Sequence, residues 1–505
     1  MRYGFLFGAG AEIAYKLPAG GKFALDIFRQ DTAGPKQRFK NMRDAVDSTT
    51  AYASQWLPKD YLGKNINTFG KSVFQNIIMS TVEHRRGQIV KKVNDFDDVA
   101  NRIATKMKDD GLDVDQALME LLGREVSNIH LDQVIQYNDA FNKGNKLFES
   151  NYFSALLILY RDKTDEIDRQ MLGRILLSIM QLQLGALSED LSRSINDNLF
   201  TKKDEKIDLF DDFGELIKLN YNAAGVSGLE LLLEDPEINT STPYGIVLSF
   251  AQQLIEDVYA SVLDYKSLID SNWHYLYNPA SEWPKFCRIA IFLLTVHQYI
   301  TELGDKADKY NADGYYNMLR KCLNEGKYEA SAIATTNYNK IIEEILGADY
   351  PITYLNGSVA VWYDPYLNKV GSARELESNE HHIIVPLLFT QSGTKPMTSI
   401  SMSVKYVDMY QKWKKSDAIV VVGFGFGTDD EHINGILRTL VNDDGKDLIV
   451  ITLKHEKSAE IESREIAKKL KVSDHKKVKV ILVDKDGKVN GAPWTECLDY
   501  NHSPV

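Results

Sequence analysis

The chain has 505 residues, 44% hydrophobic and 26% charged, the balance of an ordinary globular protein long enough for two or three domains. A formal net charge of -12 argues against a protein that grips phosphate backbones through clustered Lys and Arg. Cys287, Cys322 and Cys497 are far apart and include no C-x-x-C pair. They exclude a disulfide framework and a zinc ribbon, and reduced thiols in a cytoplasmic protein are the expectation.

The apolar run from Tyr3 to Phe7, closed by Gly8-Ala9-Gly10, predicts a buried parallel strand feeding a tight turn. It is too short for a signal peptide. A helix is expected next, interrupted by Pro18, and another from about Lys22 to Gln30. From 31 to about 325 apolar residues recur at helical spacing, as in Leu172, Ile175, Leu176, Ile179 and Met180, or Ile289, Phe292, Leu293 and Val296. This stretch reads as an all-helical insertion. Its most apolar part, Arg288 to Ile300, carries Thr295, His297 and Gln298 and falls short of the roughly 20 apolar residues of a membrane span.

After Gly326 strands and helices alternate. Strands are expected at Ala330 to Ala334, Ile352 to Leu355, His382 to Leu387, Ile419 to Val422, Leu448 to Leu453 and Val478 to Val483, with helices from Tyr338 and Glu431 and a polar loop from Leu367 to Glu380. This alternation predicts an α/β fold with a Rossmann-type, doubly wound parallel sheet. The N-terminal strand joins it, so residues 1–30 and 326–505 make one domain around the insertion 31–325.

Three turns lie where such a sheet binds ligands, beyond the carboxyl ends of its strands: Gly8 to Gly20, Thr335 to Glu344 and Val420 to Ile433. A Gly-x-Gly turn lets backbone N–H groups approach a pyrophosphate at a helix N-terminus, although a tight turn alone uses the same residues. The dehydrogenase fingerprint needs a third small residue where this chain has Ile13, which argues against hydride transfer. Asp429 and Asp430 suit a ribose hydroxyl or a metal, but an acidic first turn also complements the helix dipole. Trp273, Tyr275, Tyr277 and Trp283 suit a ligand base or a helix-packing core, and Glu343 and Glu344 suit an inner or a solvated helix face.

Taken in order, Gly8-Ala9-Gly10-Ala11 with Leu17-Pro18-Ala19-Gly20, Thr335-Thr336-Asn337-Tyr338, Leu355-Asn356-Gly357-Ser358 and Gly423-Phe424-Gly425-Phe426 resemble the motifs of the sirtuin family, and more closely of the bacterial SIR2-like effectors of anti-phage defence. The resemblance covers the first 30 and the last 180 residues. It implies an NAD+ glycohydrolase that releases nicotinamide and ADP-ribose and halts infection by depleting NAD+, with NAD+ as substrate and no metal. Gly8, Ala9, Gly10 and Ala11 would take the pyrophosphate, Thr336 would line the cofactor cleft, Asn337 and Asn356 would hold the reacting ribose, and Gly423, Gly425 and Asp430 would take the adenosine half. The implied partners are further copies of the chain and a phage-derived trigger or companion defence protein, with the insertion serving assembly or sensing. Neither membrane nor nucleic acid is expected.

The chain departs from the family in three places. Asn356 stands where the family has its catalytic His, and an amide takes no proton at neutral pH. A subfamily using Asn to orient the ribose, a binding-only protein acting as an NAD or ADP-ribose sensor, and a substitution that disarms the site are all open at this point. Asp364 and the pair His381-His382 are the substitute bases nearest in sequence, and on a strand only one of the two His would face the site. Asn339 stands where many relatives carry Asp. The missing four-cysteine module argues against protein deacetylation.

Overall fold

The computed structural model describes residues 1–18, 20–70, 76, 85–130, 135–137, 146–162, 166–187, 200–202, 226–260, 265–376, 381–388, 399–454 and 457–498. They divide into two compact units, Met1–Ala19 with Gln30–Phe69 and Lys266–Val505, and Gly20–Arg29 with Gly70–Tyr265. These bounds differ from the sequence boundaries at 30 and 325. The helix Gly20–Arg29 buries Leu25, Ile27 and Phe28, and its Arg29 pairs with Asp26, Asp235 and Glu256 of the helical unit. Conversely, Gln30–Phe69 and much of the expected insertion beyond residue 265 belong to the sheet unit.

In the sheet unit, β1 (Arg2–Phe7), β2 (Glu329–Thr335), β3 (Ile352–Tyr354), β7 (Ala418–Val422), β8 (Asp447–Leu453) and β9 (Val478–Val483) form one parallel sheet in the order β9-β8-β7-β1-β2-β3. Counted among themselves the strands run 3-2-1-4-5-6, the order of doubly wound dinucleotide-binding sheets. The chain leaves β1 for β2 and β3 on one side and returns to β7 on the other. The turns after β1 and β7 therefore flank the switch point.

Alternation within β1 divides the two faces. Tyr3, Phe5 and Phe7 enter a core with Tyr316 and Leu319 of α3 (Tyr315–Asn324), Ile341 and Ile345 of α4 (Ile341–Leu346), and Trp494. On the opposite face Gly4 leaves room for Trp413 of α5 (Ile400–Lys414), because a Cβ there would lie 2.4 Å from the indole. Two further helices, α6 (Glu431–Asn442) and α7 (Ala459–Leu470), complete the β7–β8 and β8–β9 crossovers. Helices thus flank the sheet, as the alternation predicted.

The strand expected over His382 to Leu387 is corrected. It is β6 (Val385–Leu388), and it belongs to a separate antiparallel sheet with β4 (Gly357–Asp364) and β5 (Lys369–Gly371). A four-residue apolar run carries no mark of which sheet it joins. The polar stretch after Leu367 contains β5 and a short helix, Ala373–Leu376, rather than loop alone. Against this small sheet lies α2 (Pro279–Lys306), whose His297 Nε2–H donates to Val359 O at 2.8 Å. By length and composition α2 is the one described helix that passes for a membrane span, but 67% of its apolar window is buried. Phe39 of α1 (Ala33–Ala45) packs on Trp283 and Phe286 of α2.

The other unit is mainly helical, as read, with Leu172, Ile175, Leu176, Ile179 and Met180 buried on one helix, Glu166–Leu187. One short antiparallel pair, Ile135–Tyr137 with Phe200–Lys202, interrupts the helices. Cys287, Cys322 and Cys497 are buried, and none forms a disulfide among the described residues.

Candidate functional site

The glycine turns meet each other. Gly8 N–H donates to Val422 O and Gly10 N–H to Gly423 O, both at 2.9 Å, while Ala11 N–H closes on Gly8 O at 3.0 Å. A Cβ on Gly8 would lie 2.6 Å from Gly423 O, and one on Gly10 2.8 Å from Gly423 Cα. Gly423 itself has φ +64°, and its Cβ would reach 2.2 Å from Ala11 N. These glycines serve a backbone-to-backbone approach across the switch point. Three of the four amides read as a pyrophosphate cradle are already used within the protein, which leaves exposed Ala9 at the head of the 3₁₀ turn Ala9–Tyr15.

Beyond Gly423 the turn carries buried Phe424 and Phe426, rings edge to face at 5.2 Å, with Phe426 in the left-handed region. Gly425 is exposed, and nothing lies within 4 Å of a Cβ placed there. Asn434, on the first turns of α6, pins this loop by donating from Nδ2 to Gly427 O at 2.9 Å. Its buried Oδ1 has no hydrogen-bond partner among the described residues. Asp430 is half-buried at the start of α6, and the side chain of Asp429 lies outside the described residues.

The second turn is built around Asn337. Thr335 Oγ1 donates to Phe7 O and accepts Asn337 N–H at 3.0 Å, and Thr336 N–H donates to Phe7 O at 2.9 Å, so β1 holds the turn. Asn337 Nδ2 donates to Gly8 O at 3.1 Å and to Tyr316 Oη at 3.2 Å. Both amide hydrogens are thereby occupied, and Oδ1 is the acceptor that remains. The helix expected from Tyr338 begins at Ile341, whose N–H is accepted by Asn339 Oδ1 at 3.0 Å. Lys340 at the cap position makes no side-chain bond to the helix, so the side-chain acceptor for its first N–H comes from Asn339 and not from Asn337.

Sequence reasoning missed Glu12. Its carboxylate accepts Tyr316 Oη–H at Oε1, 3.0 Å away, and Asn339 Nδ2–H at Oε2. Only 5% of the residue is exposed, and burial pushes its pKa up to about 7 against the lowering pull of Asn339, Tyr316 and Asn337. Tyr15 supports the group: its ring stacks on Tyr316 at 5.2 Å, and its hydroxyl accepts Tyr316 N–H at 2.7 Å.

Asn356 follows β3 and is 4% exposed, and its Oδ1 has no hydrogen-bond partner among the described residues. The backbone around it is fixed: Leu355 N–H donates to Thr335 O, Tyr406 Oη–H donates to Leu355 O at 2.7 Å, and Val359 N–H donates to Tyr338 O. Gly357 has φ +85°, and a Cβ there would run into Leu387 O. The Asn337 and Asn356 turns are thus tied together at the carboxyl ends of β2 and β3.

Asp364 and His382 are not brought to this site. They form a buried pair, Nδ1 to Oδ2 2.7 Å, at the far end of the small sheet. The register sets Gly357 opposite Leu388 and Tyr363 opposite Val385, three residues or about 10 Å apart on β6. Asp364 also accepts the N–H groups of Tyr366 and Leu367, and the imidazole lies between Tyr52, at 4.2 Å, and Tyr366, at 5.1 Å. Both histidines precede β6, with His381 at φ +51°, so strand alternation does not apply to them. Of the aromatic residues only Trp273 and Trp283 are buried: Trp273 stacks on Tyr363 and donates to Tyr277 Oη, and Trp283 donates to Asn65 O, while Tyr275 is partly buried and Tyr277 exposed. Glu343 and Glu344 are exposed.

Comparison with protein-family models, with curated proteins and with solved structures finds no match.

Proposed function

We propose that the protein is a SIR2-like NAD+ glycohydrolase of bacterial anti-phage defence, cleaving NAD+ to nicotinamide and ADP-ribose in the crevice beside the switch point. The observation that carries the reading is the pair of buried amides at the carboxyl ends of β2 and β3. Asn337 has its donors held inward, and Asn356 keeps an unpaired acceptor in a site closed to bulk water. A buried acceptor without a donor costs about 1–3 kcal/mol, and a ribose hydroxyl or a carboxamide N–H supplies the donor. The strand order is the second support, since dinucleotides lie across this edge of such sheets.

In this reading Asn337 Oδ1 orients the attacking water and Asn356 Oδ1 holds the reacting ribose. Exposed Ala9 and Gly425 border the pyrophosphate and the adenosine half, with Thr336 and Asp430 beside them. Loss of nicotinamide proceeds through an oxocarbenium-like state, which oriented dipoles stabilise without a strong base. The helical unit serves assembly into a homo-oligomer or response to a phage-derived trigger. Asn356 in place of a His favours a second reading, an NAD or ADP-ribose sensor that binds without turnover and acts through a partner. Release of nicotinamide by the purified chain, compared with Asn337→Ala, separates the two.

A further inference from the structure

We propose that Glu12 is the positioning residue of this site, fixing the side-chain amide of Asn337 both directly and through Tyr316, and that it does so only as a carboxylate. The inference rests on the functional reading above for its kinetic consequence, but the geometry stands by itself.

Hydrogen-bond direction distinguishes the ionised from the protonated group. Asn339 Nδ2 has only hydrogens to give, and it gives one to Glu12 Oε2. Tyr316 Oη accepts a hydrogen from Asn337 Nδ2, so its own hydrogen points elsewhere, to Glu12 Oε1. The ionised carboxylate ends both lines and also draws directly on the Asn337 amide, whose hydrogens are shared among it, Tyr316 Oη and Gly8 O. A proton on Oε2 would face the Asn339 amide hydrogens. A proton on Oε1 would turn Tyr316 Oη into a double acceptor, with its own hydrogen unplaced and the Asn337 bond weakened. Protonation therefore loosens the amide of Asn337, whose other tie is Gly8 O.

The groups that face Glu12 cannot take over its role. They are three phenols, Tyr15 on its own turn, Tyr316 on α3 and Tyr354 on β3, all raised above the ordinary tyrosine value chiefly by burial, with the Glu12 charge adding to the shift. Each stays neutral wherever Glu12 titrates. Among the described residues no ion pair reaches Glu12, so its charge is held by hydrogen bonds alone.

The test uses the full chain in two arms. In the first, NAD+ hydrolysis is followed from pH 5.5 to 8.5. The wild type is expected to lose kcat below about pH 7 with a single ionisation. Glu12→Gln is expected to lower kcat about 10- to 100-fold, to change KM by less than about threefold and to abolish the acid limb. Tyr316→Phe, which keeps the ring and removes the hydroxyl, is expected to give the same kcat loss and guards against a Glu12 variant that fails to fold. Wild-type kcat and an intact acid limb in Glu12→Gln would overturn the proposal.

The second arm needs no turnover. In protein labelled with ¹⁵N-asparagine, the Asn337 side-chain amide resonance, assigned by its absence in Asn337→Ala, is expected to shift with one midpoint near pH 7 in the wild type and to stay put in Glu12→Gln. A resonance insensitive to pH in both would overturn the role of Glu12 whatever becomes of the NAD+ reading. A shifting resonance in a chain that never cleaves NAD+ would uphold Glu12 and count against the glycohydrolase.

Discussion

Gly10 and Gly423 close the switch point of the sheet against each other: the Gly10 amide donates to Gly423 O at 2.9 Å, and neither Cα has room for a methyl group. Gly423→Ala would place a Cβ 2.2 Å from Ala11 N at a φ of +64°. It is expected to cost about 3 kcal/mol, read as a lowered denaturation midpoint. Gly425→Ala meets nothing within 4 Å and is expected to leave stability within about 0.5 kcal/mol. Equal losses at the two positions would contradict this account of the turn.

Asn356 presents the opposite case, a buried group whose removal should help the empty protein. Asn356→Leu keeps the bulk and removes an acceptor without a partner among the described residues. The free variant is expected to be as stable as the wild type or up to about 2 kcal/mol more so, and to lack the stabilisation by millimolar NAD+ that is expected of the wild type. A free variant less stable by 2 kcal/mol or more would mean that Asn356 has a structural task.

Two groups give stability opposite slopes with pH. Burial, reinforced by the positive charges of Arg38 and Lys340, lowers the His297 pKa from 6.5 to about 4. The unfolded chain then takes a proton that the folded chain refuses, and stability falls as pH drops from 6.5 toward 4, by about 3 kcal/mol in all. Glu12, raised from 4.5 to about 7, binds its proton more tightly when folded and removes stability as pH rises through that window. Urea titrations at pH 5 and pH 7 on the wild type, His297→Gln and Glu12→Gln are expected to show each variant losing its own slope. Parallel slopes in all three would refute both assignments.

Asp364 and His382 are expected to matter for stability and not for the ligand. His382→Ala leaves the Asp364 carboxylate buried with only the Tyr366 and Leu367 amides. The expected loss is about 3 kcal/mol, with the affinity for NAD+ unchanged in the folded variant. A specific loss of turnover in a folded, stable variant would return the pair to the site.

The central sheet strands were legible because a strand buried on both faces is a continuous apolar run, as Phe5 to Phe7 and Val420 to Val422 are, while the partly exposed Glu329–Thr335, Ile352–Tyr354 and Val478–Val483 were legible from their short apolar runs alternating with helices. The strand Gly357–Asp364 was not, because a bulge between Gly357 and Trp362 breaks its alternation. The unit boundaries were hidden as well. Nothing in the helical spacing of Ile289 to Val296 tells whether that helix packs on a sheet or on other helices. Asn337 and Asn356 stood out by their place after strands. Glu12 did not, although one signal was present: a lone acid between Ala11 and Ile13 in a turn of small and apolar residues. Its three partners come from Tyr316, Asn337 and Asn339, more than 300 residues away, and only the fold brings them together.

The most direct test of the central claim is nicotinamide release from NAD+ by the purified chain near neutral pH, at concentrations spanning any self-assembly, with Asn337→Ala beside it. The account predicts stoichiometric nicotinamide and ADP-ribose from the wild type and at least about a 100-fold loss in a folded Asn337→Ala. NAD+ bound by the assembled wild type with no nicotinamide released would contradict it.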